Sequence, residues 1–307
     1  SLSLALIAVS GVFASAAQLS NDARESIPRD VQQIIVVDYR SMQNSSAAME
    51  LKDKVLPPEV KRLEEALTSS GLKVDHDTDA LAFASYRLGD QSRIVGIAQG
   101  QFQTKDIMAY FAKNKIKPVK LRNSDIYPMG KNGMSVVFLD QTTMVFADKE
   151  ALQDAMDARD GLIPNFLANS DMMNEMASVD QQTVWSLLDQ KGTQTMMSGV
   201  LGSAAQIADY DTVRDRMKSS RYTMDFKNGV KFEMNVVMSD TMTAALAATA
   251  MKGVTLLRKA QGSVDEKSAL NSTTIDSSAG TLRVSYSASD SQFSSLLSSD
   301  LFKSVVK

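Results

Sequence analysis

The chain has 307 residues, 44% of them hydrophobic and 22% charged, with a formal charge of −3 and a pI near 5.4. That is a globular composition, long enough for one large domain or two ordinary ones, and it lacks the basic excess that draws proteins to nucleic acid. Cysteine is absent and histidine occurs once, which excludes disulfides, thiolate metal sites, a cysteine nucleophile and multi-histidine zinc sites.

Residues 1–17 read SLSLALIAVSGVFASAA. An apolar run from Leu2 to Phe13 leads into Ala14 and Ala16 in A-x-A spacing, the shape of a secretory signal peptide without its basic start. The run is short of the ~20 apolar residues that span a bilayer. It implies an exported protein, in the periplasm, outer envelope or extracellular space; if retained, the segment is a membrane or partner anchor.

After a polar link, VQQIIVVD predicts a buried strand from Val31 to Asp38. SMQNSSAAMELKDKV is mixed. LPPEVKRLEEALTSSG predicts a helix with proline in its first turn, Val60, Leu63 and Leu67 on one face, and Gly71 at its end. ALAFASYRL and RIVGIAQGQF read as strands joined through Gly89 and Asp90. Thr104 is expected to cap a helix carrying Ile107, Met108 and Phe111. Three strands follow, in KPVKLRNSDIYPM, SVVFLD and TMVFAD, and then Asp148 caps the helix ALQDAMDA.

The second half restarts with VDQQTVWSLLD, which shares a Gln-Gln pair with the first strand. A helical region leads to the hairpin RYTMDFKNGVKFEMNVVM. Asn228-Gly229 suggests a two-residue turn, but that register sets Phe226 against Lys231 and scrambles the faces. A three-residue loop, Lys227 to Gly229, sets Phe226 against Val230 and Met224 against Phe232 instead. A helix from Asp240 or Thr241 is expected to bury Met242, Leu246, Ala250 and Leu257. Strands at STTID and TLRVSYSAS, a turn at Gly280, and a helix capped by Asp290 with Phe293, Leu296 and Leu297 complete the chain. The element order repeats, so the expected fold is α+β: two related units, residues 18–165 and 175–307, each a mainly antiparallel sheet with helices on one face.

Candidate chemistry is sparse. His76 could serve a Ser-His-Asp triad, but no serine lies in G-x-S-x-G. Asp75, Asp77 and Asp79 have the first spacing of a calcium loop, yet Ala80 and Tyr86 stand where glycine and a bidentate glutamate belong. Phosphate-binding glycine loops are absent. Glu64 and Glu65 suit a solvated helix face, Trp185 suits a strand core, and the 18 methionines suit core filling. No catalytic, cofactor-binding or metal-binding residue is assigned, and no enzymatic activity is expected, although two carboxylates meeting from distant positions would escape such a search.

The patterns Ile27-Pro28 with Asp30-Val31, VVDYRSM, GLKVDHDTDALAFA and VGIAQGQF resemble a class of exported acidobacterial and planctomycete proteins of unknown function. The resemblance implies a duplicated α+β fold and an envelope location, and carries no catalytic residue with it. The expected function is a non-catalytic envelope protein that binds or scaffolds a protein partner. The competing expectation is a carrier of a small apolar or lipid ligand, suggested by the small-residue helix AALAATAMKGVTLL against a Met- and Phe-rich hairpin. A large enclosed apolar pocket favours the carrier; a filled core with an exposed apolar patch favours the scaffold. N-terminal sequencing of protein from its native envelope is expected to begin near Gln18, and an intact Leu2–Phe13 would make the segment an anchor.

Overall fold

The computed structural model describes residues 18–69, 71–129, 133–201, 210–299 and 302. The apolar segment 1–17 lies outside them.

Among the described residues, twelve strands form one antiparallel sheet. From the first half come β1 (Val31–Asp38), β2 (Thr78–Leu88), β3 (Gln91–Gly100), β4 (Val119–Leu121), β5 (Ser124–Pro128), β6 (Met134–Phe138) and β7 (Thr143–Asp148). The second half supplies β8 (Val184–Leu188), β9 (Met217–Asp225), β10 (Val230–Met238), β11 (Thr273–Ser278) and β12 (Thr281–Ala288). The order across the sheet is β11-β12-β10-β9-β8-β1-β2-β3-β7-β6-β5-β4. The halves therefore meet where β1 pairs with β8, from Gln33 opposite Leu188 to Val37 opposite Val184. Outward from this seam, β1-β2-β3-β7-β6 and β8-β9-β10-β12-β11 follow the same order.

The helices are α1 (Asn21–Glu25), α2 (Tyr39–Met42), α3 (Ser46–Val55), α4 (Pro58–Ser69), α5 (Val74–Asp77), α6 (Thr104–Lys113), α7 (Lys149–Arg159), α8 (Ser170–Met176), α9 (Gln190–Leu201), α10 (Tyr210–Asp215), α11 (Thr241–Gln261), α12 (Val264–Asn271) and α13 (Asp290–Ser298). The mixed stretch after β1 is thus two short helices, α2 and α3, started by Asp38 and Ser45, whose side chains accept the N–H groups of Ser41 and Ala48. Thr104 and Asp290 are first helical residues, not caps: Gln103 precedes α6 without a side-chain bond, and Ser289 caps α13 in a box with Gln292. KPVKLRNSDIYPM folds into two strands, β4 and β5.

Both faces of the first half are covered, which corrects the expectation of helices on one face. On the front, α4 and α6 pack Leu63, Leu67, Ile107 and Phe111 against Ala98, Met144 and Phe146. On the back, α1, α7 and α8 pack against Ile34, Val36, Ala82, Ala84, Val95, Ile97, Trp185 and Leu187. Strands buried on both sides need apolar residues at consecutive positions, as IIVV in β1 has. Beyond β8, whose back α8 covers, the described helices of the second half pack on the front: α9, α10 and α11 over β10, β11 and β12, and α13 beside α3. Its back face carries Arg221, Thr223, Asp225, Lys231, Glu233, Asn235, Arg283 and Ser285 at alternate positions.

The β9–β10 hairpin takes the three-residue loop: Lys231 lies opposite Asp225, Phe232 opposite Met224, and Gly229 has φ +80°. At the seam, α9 passes so close to β1 that a Cβ on Gly192 would lie 2.3 Å from the Gln32 carbonyl oxygen.

A buried polar cluster ties α7 to the sheet. Tyr86 donates its hydroxyl to Asp154 Oδ2 at 2.9 Å, and Arg93 donates to the same oxygen at 2.5 Å. Burial, then the bond to Asp154, pushes the Tyr86 phenol far above its usual range. Asp154→Ala leaves both donors without their acceptor and is expected to cost about 2–3 kcal/mol, measured by urea unfolding, with Asp154→Asn costing less.

Candidate interaction surface

The residues weighed for chemistry in the sequence do not converge on a site. Asp75 accepts the Tyr39 hydroxyl at 2.6 Å, Asp77 accepts the Lys73 N–H at 2.9 Å, and Asp79 accepts Arg40 at 2.5 Å. Three aspartates with three separate partners do not form a calcium loop. His76 is exposed, its Nδ1 2.8 Å from Asp77 Oδ1. Glu64 is paired with Lys52 at 2.8 Å, and Trp185 is fully buried. Among the described residues, no three His, Asp or Glu side chains gather as metal ligands.

Lys52 also donates to the Tyr39 hydroxyl at 3.0 Å. Burial and the bond to Asp75 raise the Tyr39 phenol to about 12. This network borders an apolar cavity under α4, lined by Leu63, Leu67, Leu72, Leu81 and Phe146, with a volume of about 50 Å³. That is room for a few waters. A lipid-sized ligand needs roughly 300 Å³ or more.

Two larger clefts, about 650 and 580 Å³, lie on the back face beside α8 and across β9 to β12. Several carboxylates here are matched to cations: Glu175 to Arg221 at 2.5 Å, Asp189 to Arg87, and Glu233 to Arg283 at 3.6 Å.

The most unusual surface is on α11. Asp240 caps this helix, its Oδ1 accepting the Thr243 N–H and its Oδ2 the Thr243 hydroxyl, each at 2.8 Å. Ser239 and Arg216 donate to the same carboxylate at 2.9 and 3.2 Å. The Thr243 N–H first, then the hydroxyls and Arg216, hold the Asp240 carboxyl down at about 2. Ala-rich sequence then sustains 21 residues of helix.

The buried side of α11 is Thr243, Ala244, Ala247, Ala248, Ala250 and Met251. Of the four residues expected there, only Ala250 is buried. Met242 is 73% exposed, Leu246 49% and Leu257 55%, with Leu256 at 67%. The reason is volume. Met197, Met217, Met234 and Met238 fill the layer between helix and sheet, so the helix side there is mostly alanine, with Met251 the one long side chain that α11 buries. The large apolar residues are turned to solvent. Val264, which opens α12, extends the apolar surface at 82% exposed. Beside Leu257 a groove of about 360 Å³ runs between α11 and α12, lined by Val254, Leu257, Arg258, Gln261, Glu266 and Leu270. The missed signal was present in the sequence: alanines at 244, 247, 248 and 250 form a second stripe, which hydrophobicity alone ranks below leucine.

The sequence matches no protein-family model, and it matches no curated protein. Among solved structures, crystal form III of TP0453 superposes with a TM-score of 0.53 at 7% identity, over 90% of this chain and 97% of that one. Crystal form I gives 0.51 at 8% identity, over 90% and 96%. At such identities the likeness is one of fold, and that fold is α+β.

The Asp240 cap generates a pH dependence. Its folded pKa lies below the unfolded value, so its stabilisation is present above the unfolded pKa and is lost as pH falls from 3.8 towards about 2. Asp240→Asn keeps a capping oxygen and is expected to flatten that part of the acid decline in thermal midpoint. Superimposable pH profiles for the two proteins would refute it.

Proposed function

We propose that this protein is a non-catalytic, exported envelope protein that binds or scaffolds a protein partner through the outward face of α11. The observation that carries the reading is the run of large apolar side chains on that face, held outward by a core already filled with methionine. Exposed apolar surface of this kind costs solubility unless something covers it. The small size of the α4 cavity counts against an apolar-ligand carrier. The lack of a nucleophile–base pair in the sequence supports a role without catalysis. Export rests on the composition of residues 1–17, and the shared strand order of the halves supports duplication of an ancestral unit.

Native mass spectrometry of the protein drawn from its own envelope tests this reading. A protein partner at fixed stoichiometry is expected, lost in the Leu246→Asp/Leu257→Asp double variant while its thermal midpoint stays unchanged. A retained lipid mass without a protein partner would instead favour the carrier.

A further inference from the structure

Resting on the reading of α11 as a docking face, we propose that its occupant is an amphipathic helix of a partner protein, with acidic residues along one flank. Met242 and Leu257 stand roughly 22 Å apart along the axis, at 1.5 Å per residue, which is the contact length of a docked helix. Between them the face alternates large and small residues. Met242, Leu246 and Leu256 project, and Ala245, Thr249 and Gly253 leave gaps one turn away. Ridges set between gaps are what a second helix packs into; a fluid lipid surface makes no use of gaps. At the Leu257 end, the groove against α12 offers a place for one apolar anchor of the incoming helix.

Charge selects the kind of helix. Every charged residue of α11 is a cation: Lys252 and Lys259, seven residues apart, edge the outward face on one side, and Arg258 lies on the stripe of Ala247 and Met251 at the α12 groove. The chain as a whole is acidic at −3, so this concentration is local. Asp240 caps α11 and pairs with Arg216, Asp211 and Asp215 of α10 pair with Arg214, and Glu266, which accepts the Ser263 N–H at 2.9 Å, lies across the α12 groove on the Arg258 side. Asp265 lies beyond the end of α11, in the first turn of α12. A second copy docked antiparallel on this face would set the lysine edge of one helix beside that of the other, an arrangement that repels. Glutamates or aspartates flanking an apolar stripe on the partner meet those cations and fix its direction.

The test uses the full chain and two synthetic helical peptides of α11's length, with identical leucine faces and either glutamate or lysine flanks, followed by fluorescence anisotropy. The glutamate peptide is expected to bind about tenfold tighter, the advantage shrinking as salt rises. Leu246→Asp is expected to weaken it by about tenfold or more, with an unchanged circular dichroism spectrum and thermal midpoint. Equal affinity for the two peptides, preference for lysine, or no binding of either would overturn the proposal. So would co-sedimentation with phosphatidylcholine/phosphatidylglycerol vesicles that Leu246→Asp abolishes, or a concentration-dependent dimer with the same sensitivity. Failure of the glutamate peptide, with the native complex still lost in the double variant, removes the acidic helix and leaves the docking face. Survival of the native complex in that variant removes the docking face itself.

Discussion

The pairing of β1 with β8 is the constraint on which the rest of the structure depends. Without it the chain would be two sheets, each ending in an apolar strand with an open edge. At the seam, Ile34, Val36, Trp185 and Leu187 are all 2% exposed or less on the back face. Each such side chain is stabilised by roughly 1.5–3 kcal/mol on burial, so the seam is among the strongest joins in the molecule. The order of the other strands is laid out from it in both directions, and the helix layers follow the strands.

The two halves depart from one another in where their last helix docks. After β7, α7 turns to the back face and buries Leu152 and Met156. After β12, α13 turns to the front and sets Phe293 and Leu297 beside Phe226, Val230 and the Ala47–Ala48 pair of α3. One half therefore gains a second cover, while the other keeps a polar back face of serine, threonine and paired charges. The same helix locks the end of the chain onto the half at its beginning. A boundary near residue 165 to 175 divides the strand order, but contacts cross it at the seam and at α13.

Much of this was legible in the sequence. β1, the β2–β3 hairpin and the β9–β10 register could be read because alternation and glycine placement leave few alternatives: Gly229 at positive φ fixes which residues face each other. The helices α2 and α3 could not be read, because they are short and begin on local Asp and Ser side-chain bonds that follow no long periodic pattern. The two-sided burial of the first half is a matter of which distant helix returns to which face. The orientation of α11 was misread because two stripes compete on that helix. Which one turns inward is decided by methionines on β9, β10 and α9, far away in sequence. No local signal weighs a neighbour's volume.

The seam also has a history in time. β1 is complete at Asp38, whereas its partner β8 does not begin until Val184. A growing chain therefore carries β1 with one side unmatched through the synthesis of every strand of its own half. Contacts of such long sequence separation close slowly, and an apolar strand waiting for its mate is sticky. The sheet therefore closes across its middle only once Trp185 and its neighbours on β8 arrive.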